Sequence, residues 1–145
     1  MSLIFVILDN MKKIYSNVNK EKLILSELKY TDISEYRSDL SPDEEYLQVS
    51  GRKLKLGTKV PAHRHLQIDR NTTITQEAWV VVKGKVKGIF YDLDNTILHE
   101  SILTDGDCVV LYRGGHSLEV LEEDTIFYEF KTGPYFGIET DKEKI

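Results

Sequence analysis

Three histidines and one glutamate are spaced in this chain as the ligands of a transition metal would be. His63 and His65 are separated by one residue, and alternate residues of a β-strand point to the same face. Glu77 begins a strongly apolar segment, and His116 follows two glycines. Three imidazoles and a carboxylate on one wall of a β-barrel can hold a divalent zinc, iron, manganese or nickel ion with positions open for substrate or water. We therefore predict a metal site formed by these four residues.

The elements that must position these ligands are predicted to be strands. Short segments rich in β-branched and aromatic residues, bounded by Gly, Asp or Asn, recur roughly every 8 to 12 residues, as in β-sandwiches and barrels. No amphipathic helix of about ten residues or more interrupts them. The sequence therefore predicts an all-β fold. The predicted strands are residues 46–51, 53–57, 77–83, 85–91, 96–103, 108–112, 117–121 and 125–131.

Another short motif, Asp92-Leu-Asp-Asn-Thr96, follows one of these strands and resembles the nucleophile motif of the haloacid dehalogenase superfamily. In that family the motif ends a central parallel strand in a sheet built from βα units. The segment after Leu98 is instead predicted to form strands without crossover helices. We therefore predict a hairpin turn, in which Asp and Asn tolerate left-handed backbone angles, and not a phosphatase site.

The spacing from Gly57 to Gly84 resembles the first motif of the cupin superfamily. Five residues separate Gly57 from His63, and six separate Glu77 from Gly84. Residues 106–116 resemble the second motif, which ends in a histidine, and the resemblance covers residues 46–136. It implies a double-stranded β-helix, the jelly-roll barrel of cupins, with a metal inside. Residues 1–145 would then be a single domain in which residues 1–45 form an irregular N-terminal extension.

The chain departs from the cupin pattern at two places. Eleven residues separate His65 from Glu77, more than is usual, and Asp69 would satisfy the shorter spacing. No apolar strand follows Asp69 at the right distance, so Glu77 is the preferred carboxylate ligand. In the second motif Tyr112 replaces the usual proline, and His116 comes one residue early. Histidines that do acid–base or hydrogen-bonding work without a metal are the alternative to a metal site.

Residues 128–135 resemble the end of small cupins of bacterial surface-polysaccharide and nucleotide-sugar pathways. This resemblance implies a small polar substrate, a sugar or nucleotide sugar, and an isomerase or epimerase reaction in which the metal acts as a Lewis acid. Glu129, Lys131 and Tyr135 are the candidate catalytic residues. A non-catalytic sugar-binding module and an Fe(II)-dependent dioxygenase are the alternatives.

Two of these catalytic candidates can lie on either face of their strand. Glu129 and Lys131 alternate with Phe130, so they share one face of a strand, which is either the barrel interior or the solvent side. Arg113 and Tyr135 are placed where they could reach an anionic substrate at the barrel mouth. His99, beside Glu100, is predicted to be exposed on an outer strand.

Composition and charge limit the kinds of partner and the cellular compartment that we expect for this protein. The 145 residues carry 19 basic and 24 acidic side chains, a net charge of -5, with no basic face, so we expect no nucleic-acid partner. The apolar run Leu3–Leu8 is too short for a signal peptide or a membrane span. One cysteine, Cys108, fits a reducing, cytoplasmic setting. Leu3–Leu8 is predicted to pair within the barrel or across a two-fold homodimer.

Overall fold

The computed structural model describes residues 11–34 and 36–145. This part of the chain contains a 3₁₀ turn at Tyr30–Asp32 and one α-helix, α1, at Ile138–Asp141. No helix within these ranges is long and apolar enough to cross a membrane. The strands are β1 Lys12–Tyr15, β2 Leu23–Leu28, β3 Ser38–Asp39, β4 Ser50–Gly51, β5 Glu77–Lys83, β6 Lys85–Tyr91, β7 Ile97–Thr104, β8 Cys108–Leu111, β9 Gly115–Val120 and β10 Ile126–Lys131.

These strands form three antiparallel sheets. The largest has five strands in the order β1-β2-β8-β5-β10, a second has the order β7-β6-β9, and β3 pairs with β4. The all-β prediction is therefore confirmed. Over the described ranges the sheets do not join into a closed barrel, so the jelly-roll topology stays a prediction.

The core lies between the five-stranded and three-stranded sheets. Trp79 of β5 and Phe90 of β6 are both buried, with ring centroids 6.0 Å apart. Leu25, Val109 and Leu103 belong to the same cluster and come from β2, β8 and β7. Inward residues alternate with outward ones along β5 and β6, which is the period of two expected of strands packed on one face. The strands that carry the site are thus held by a shared interior.

A second apolar cluster covers part of the opposite face of the five-stranded sheet. Leu28, Ala78, Val110 and Tyr112 of the sheet region pack there against Leu40. The buried Tyr112 hydroxyl donates a hydrogen bond to the Leu40 carbonyl at 2.9 Å. The segment that leads from β2 towards β5 is thereby fixed over β2, β8 and the start of β5.

The six predicted strands from residue 77 onward are confirmed within a few residues at their ends. The predicted strand at 53–57 is wrong, because the chain turns at residues 56–57 and Gly57 has φ +84°. The predicted strand at 46–51 is reduced to Ser50–Gly51. Gly57 and Pro61 interrupt this region, and neither residue type supports a regular strand.

The irregular N-terminal extension is also a wrong prediction for residues 12–28. This stretch contributes β1 and β2 to the five-stranded sheet, and every residue of Leu23–Leu28 is buried. Because β2 is covered on both faces, it lacks the apolar–polar alternation that identifies a half-exposed strand. The Leu3–Leu8 prediction lies outside the described residues.

The Asp92–Thr96 motif forms a hairpin turn, as predicted. It joins β6 to β7, which are antiparallel neighbours, and the Asp92 N–H donates to the Thr96 carbonyl at 2.8 Å. Asn95 has φ +66°, a left-handed angle that Asn tolerates better than most residues. The motif therefore stands between two antiparallel strands and not at the end of a parallel one.

Asp92 also connects this hairpin to the turn between β1 and β2. Its carboxylate is 1% exposed and accepts the N–H groups of Asn17 at 2.7 Å and Leu93 at 2.8 Å. Burial raises the pKa of Asp92, but hydrogen bonds from Ser16, Leu93, Asn17 and Val18 outweigh it, so the pKa is lowered overall. The ionised carboxylate is thus an anchor between two distant turns.

Replacing Asp92 by alanine is expected to lower the free energy of unfolding by about 1–3 kcal/mol at neutral pH, because two part-buried hydrogen bonds to a charged acceptor are lost. Since the folded pKa lies below the unfolded one, this contribution is present above about pH 3.8 and is lost as pH falls through the folded pKa. Urea unfolding of wild type and Asp92→Ala measures both effects. The control Asp94→Ala, in the same turn but exposed, should cost less; an equal cost would contradict the anchoring role.

Candidate functional site

His63 and His65 lie on an exposed irregular segment between Gly51 and Glu77. Their ring centroids are 5.6 Å apart, and His63 Nδ1 is 2.9 Å from the Pro61 carbonyl oxygen. The two imidazoles are close neighbours. They are not on a strand, however, and they do not point into the space between the sheets.

Glu77 and His116 meet at one end of the interior. Glu77 begins β5 and is 5% exposed, while His116 lies on β9 of the other sheet. Glu77 Oε1 is 3.6 Å from His116 Nε2, and it also accepts the indole N–H of Trp79. The His116 and Trp79 rings make a T-shaped contact, with centroids 5.3 Å apart and planes at 81°. A buried carboxylate and a half-buried imidazole are therefore held side by side by one core residue.

The four predicted metal ligands are thus placed as two pairs. Asp69, the alternative carboxylate, is exposed on the same segment as His63 and His65. Over residues 11–34 and 36–145, no group of three or more His, Cys, Asp or Glu side chains is arranged to hold a metal ion. The described residues therefore do not fit a four-ligand transition-metal site, and the metal stays a prediction from the sequence.

A cavity of about 380 Å³ opens beside the Glu77–His116 pair. Its walls come from β5, the β6–β7 hairpin turn, the Gly114–Gly115 turn and the C-terminal segment after α1. The lining is mostly polar or charged. The residues that give it this character are Thr75, Glu77, Asp92, Asn95, Arg113, His116, Asp141, Lys142 and Glu143.

The surroundings of His116 favour the neutral form of its imidazole at neutral pH. Burial is the largest effect and lowers the pKa of its imidazole, and nearby Lys142 lowers it further. The charges of Glu77 and Glu129 act in the opposite direction without cancelling the shift. A neutral imidazole facing a cavity can accept a proton, and an adjacent carboxylate stabilises the cation that results.

The guanidinium of Arg113 is hydrogen-bonded to other residues of the protein. Its guanidinium donates two hydrogen bonds to the Glu45 carboxylate, at 2.8 and 2.9 Å, and one to the Leu23 carbonyl. Glu45 also accepts from the side-chain amide of Gln76. Arg113 lines the Glu77–His116 cavity, but most of its donors are already used to tie residue 45 to the sheet.

The orientation of Glu129 and Lys131 is now determined. Phe127 on the same face of β10 packs against the core, so Glu129 and Lys131 share the inward face, but Glu129 is exposed and neither residue lines the cavity. Lys131 forms an ion pair with Asp141 at 3.1 Å and lies 4.5 Å from the centroid of the Tyr135 ring. The hydrogen bond to Asp141 raises the pKa of Lys131. Lys131 and Tyr135 thus hold the C-terminal segment, while Glu129 contributes charge near His116.

Comparison with known proteins identifies no relative: no family model matches the chain, and no curated protein or solved structure matches it significantly. The cupin resemblance therefore rests on the motif spacing described above. Function is argued below from the geometry of the site.

The prediction that His99 is exposed is wrong. Its side chain is 15% exposed and stacks on Phe90, with centroids 6.1 Å and planes 16° apart. His99 Nε2 lies 3.6 Å from Glu27 Oε2, and neither of these buried atoms has a hydrogen-bond partner. The other oxygen of Glu27 accepts the Ser101 hydroxyl at 2.7 Å. A second Glu–His pair, absent from the sequence predictions, therefore lies between the two sheets.

The charges around His99 oppose each other. Burial is the largest effect and lowers the pKa of His99, and Lys12 on β1 lowers it further. Glu27 on β2 and Glu100 on β7 raise it by less. Lys29, 3.3 Å from Glu27, offsets part of the carboxylate charge. His99 is therefore favoured as the neutral imidazole in the folded protein.

Acidification should destabilise the fold through His99. The unfolded imidazole titrates near its ordinary pKa of about 6.5, and the folded one titrates at a lower pH. Between these values the unfolded state binds more protons, so the free energy of unfolding increases with pH across this window and falls as the solution is acidified. Urea unfolding across the window should therefore show a shallower pH dependence for His99→Gln than for wild type.

The control for this prediction is His65→Gln, which removes an exposed histidine. It should retain the wild-type pH dependence, including the part due to His116. A His99→Gln profile parallel to wild type would show that the buried pair does not exchange protons on unfolding.

Proposed function

We propose that this protein is an acid–base enzyme of the isomerase or epimerase type, which binds a small polar substrate such as a sugar in the Glu77–His116 cavity. The observation that carries the proposal is the Glu77–His116 pair, 3.6 Å apart, at the wall of that cavity. Glu77 is buried and its position is fixed by the Trp79 N–H, so the pair is rigid before any ligand arrives.

The cavity suits a small, hydroxyl-rich molecule. Its volume of about 380 Å³ lies in the range of small-molecule sites, roughly 300–1,000 Å³. Thr75, Asn95 and Glu143 offer oxygen acceptors, and Lys142 offers a cationic donor. Such a lining hydrogen-bonds hydroxyl groups, and Leu111 supplies an apolar surface for a sugar ring.

Proton transfer follows from the properties of the pair. A neutral His116 takes a proton from the carbon next to a substrate carbonyl, and the electron pair moves to the carbonyl oxygen as an enolate or enediolate forms. Glu77 then stabilises the imidazolium across 3.6 Å. An isomerisation is completed when the hydroxyl proton on the adjacent carbon passes to the enolate oxygen and His116 returns the carbon-bound proton to the former carbonyl carbon. An epimerisation is completed when a solvent proton reaches the opposite face of the same carbon and His116 releases its proton to solvent.

The test begins with a thermal-shift panel of sugars and nucleotide sugars, and proceeds to solvent deuterium exchange at carbon in each ligand that binds. Wild type should incorporate deuterium. Glu77→Gln and His116→Gln should lower the exchange rate by about 100-fold or more, the usual contribution of a general acid–base group, and should bind the ligand within about tenfold of wild type. His99→Gln is the matched control, because it replaces the other Glu-paired histidine outside the cavity.

Binding without exchange in wild type would refute the enzyme proposal and favour a non-catalytic sugar-binding module. Exchange that His116→Gln leaves unchanged would also refute it, because the proton would then be moved by another group.

The exposed histidines provide a separate prediction. Since His63 and His65 lie outside the cavity lining, the double variant His63→Ala/His65→Ala should bind ligand and exchange protons as wild type does. Elemental analysis of untagged wild type and of this variant should accompany the exchange assay. A bound metal that the variant loses together with exchange would instead support the four-ligand site predicted from the sequence.

A further inference from the structure

The outer face of the five-stranded sheet is covered over only part of its width. The second apolar cluster lies over β2, β8 and Ala78 at the start of β5. Beyond it, the outward side chains of β10 are open: Tyr128 is 62% exposed and Phe130 is 51% exposed. Val82 of the neighbouring β5 is 47% exposed. We refer to Val82, Tyr128 and Phe130 as the β10 face.

The strand that carries this face is also at an edge. Among the described residues β10 pairs with β5 alone, which leaves its second edge of N–H and C=O groups without a strand. Proteins commonly protect such edges with proline, charged side chains on either face or a bulge. From Phe127 to Lys131 the register with β5 is regular, there is no proline, and the outward positions are aromatic, so the charges of this stretch are those of Glu129 and Lys131 on the inward side.

The outward side chains already form an ordered apolar surface. The Tyr128 and Phe130 rings are neighbours, with centroids 6.2 Å apart. Their cross-strand partners are Val80 and Ala78 of β5, so no charged residue interrupts the face on either strand. An apolar face combined with an unpaired edge fits another β-strand better than it fits a helix or a soluble ligand.

The charged residues of β10 determine which strand can pair with its free edge. Along the inward side of β10, Glu129 and Lys131 stand two residues apart with opposite charges. In an antiparallel pair of two β10 strands with Phe130 on the two-fold axis, Glu129 of each copy is opposite the partner's Lys131. Opposite charges at directly facing positions stabilise a strand pair, and like charges destabilise it. The strand is therefore complementary to itself.

We propose that β10 is the docking strand for β10 of a second copy of this chain, so that two five-stranded sheets join into one across a two-fold axis. The interface is isologous, with the same apolar face and the same two charge pairs contributed by both copies. Because each chain has a net charge of -5, two copies repel each other over most of their surface. We therefore expect them to make contact at the uncharged side chains of the β10 face. The β10 face itself is separate from the lining of the Glu77–His116 cavity.

Sedimentation over a concentration series tests the surface. Wild type should reach twice the 16.7 kDa mass of one chain. Tyr128→Lys places a cation on the β10 face and should raise the dissociation constant by about tenfold or more. The matched control is Ile97→Lys, because Ile97 is 60% exposed on β7, an edge strand of the other sheet. A monomeric wild type, or equal effects of the two variants, would overturn the proposal.

Two further variants test the register and do not depend on Tyr128→Lys folding well. Glu129→Lys puts like charges opposite each other and should weaken the dimer, while Glu129→Lys/Lys131→Glu should recover part of the loss. Phe130→Cys should form a covalent dimer on mild oxidation, and Ile97→Cys should not. Cys108 is not expected to interfere, since burial raises the pKa of its thiol to about 12. A dimer that ignores the charge change and fails to cross-link at 130 would overturn this pairing.

Discussion

The packing of Trp79 is the interaction on which both the fold and the candidate site depend. Its ring lies between the two sheets, 2% exposed, against Phe90 and Phe127. Its indole N–H donates to Glu77, and its ring makes a T-shaped contact with the imidazole of His116. Removal of so large a buried ring typically costs about 3–5 kcal/mol. Here it would also release both members of the acid–base pair, so the geometry of the site is a consequence of core packing.

This dependence explains why the polar pair Glu77 and His116 lies at one end of the space between the two sheets. Along β5 the inward positions are Glu77, Trp79 and Val81, so the strand passes from a carboxylate to an indole to an aliphatic side chain within five residues. Glu77 tolerates burial because it is hydrogen-bonded and faces an imidazole. Asp92 closes the same end by tying the β6–β7 turn to the β1–β2 turn through backbone N–H groups. Polar groups there are satisfied by neighbours that the apolar core holds in place.

Local patterns in the sequence predicted those parts of the fold whose signals are local. The strands from residue 77 to residue 131 have visible alternation and Gly or Asn turns, and they are where the pattern places them. β2 has no alternation, because both of its faces are covered, and so the pattern does not predict it. The His63–His65 segment satisfies a cupin spacing, but Gly57 and Pro61 interrupt any strand there and leave the imidazoles in solvent. The same motifs predict the proximity of Glu77 and His116, whereas Glu27 on β2 and His99 on β7 meet because the two sheets pack together, which no local pattern records.

The two Glu–His pairs show why residue types alone do not identify a functional site. In each pair a buried carboxylate oxygen is 3.6 Å from an imidazole Nε2, and in each the histidine has a pKa lowered first by burial. They differ in surroundings. His99 stacks on Phe90 at the core and Glu27 is held by Ser101 and Lys29, whereas His116 lies at the wall of a polar cavity with Lys142 and Glu129 nearby. A proton on His99 has only a buried neighbour to exchange with, while a proton on His116 can be exchanged with a bound molecule. Access to a ligand, and not the pairing itself, is what separates a site capable of chemistry from a titratable element of the core.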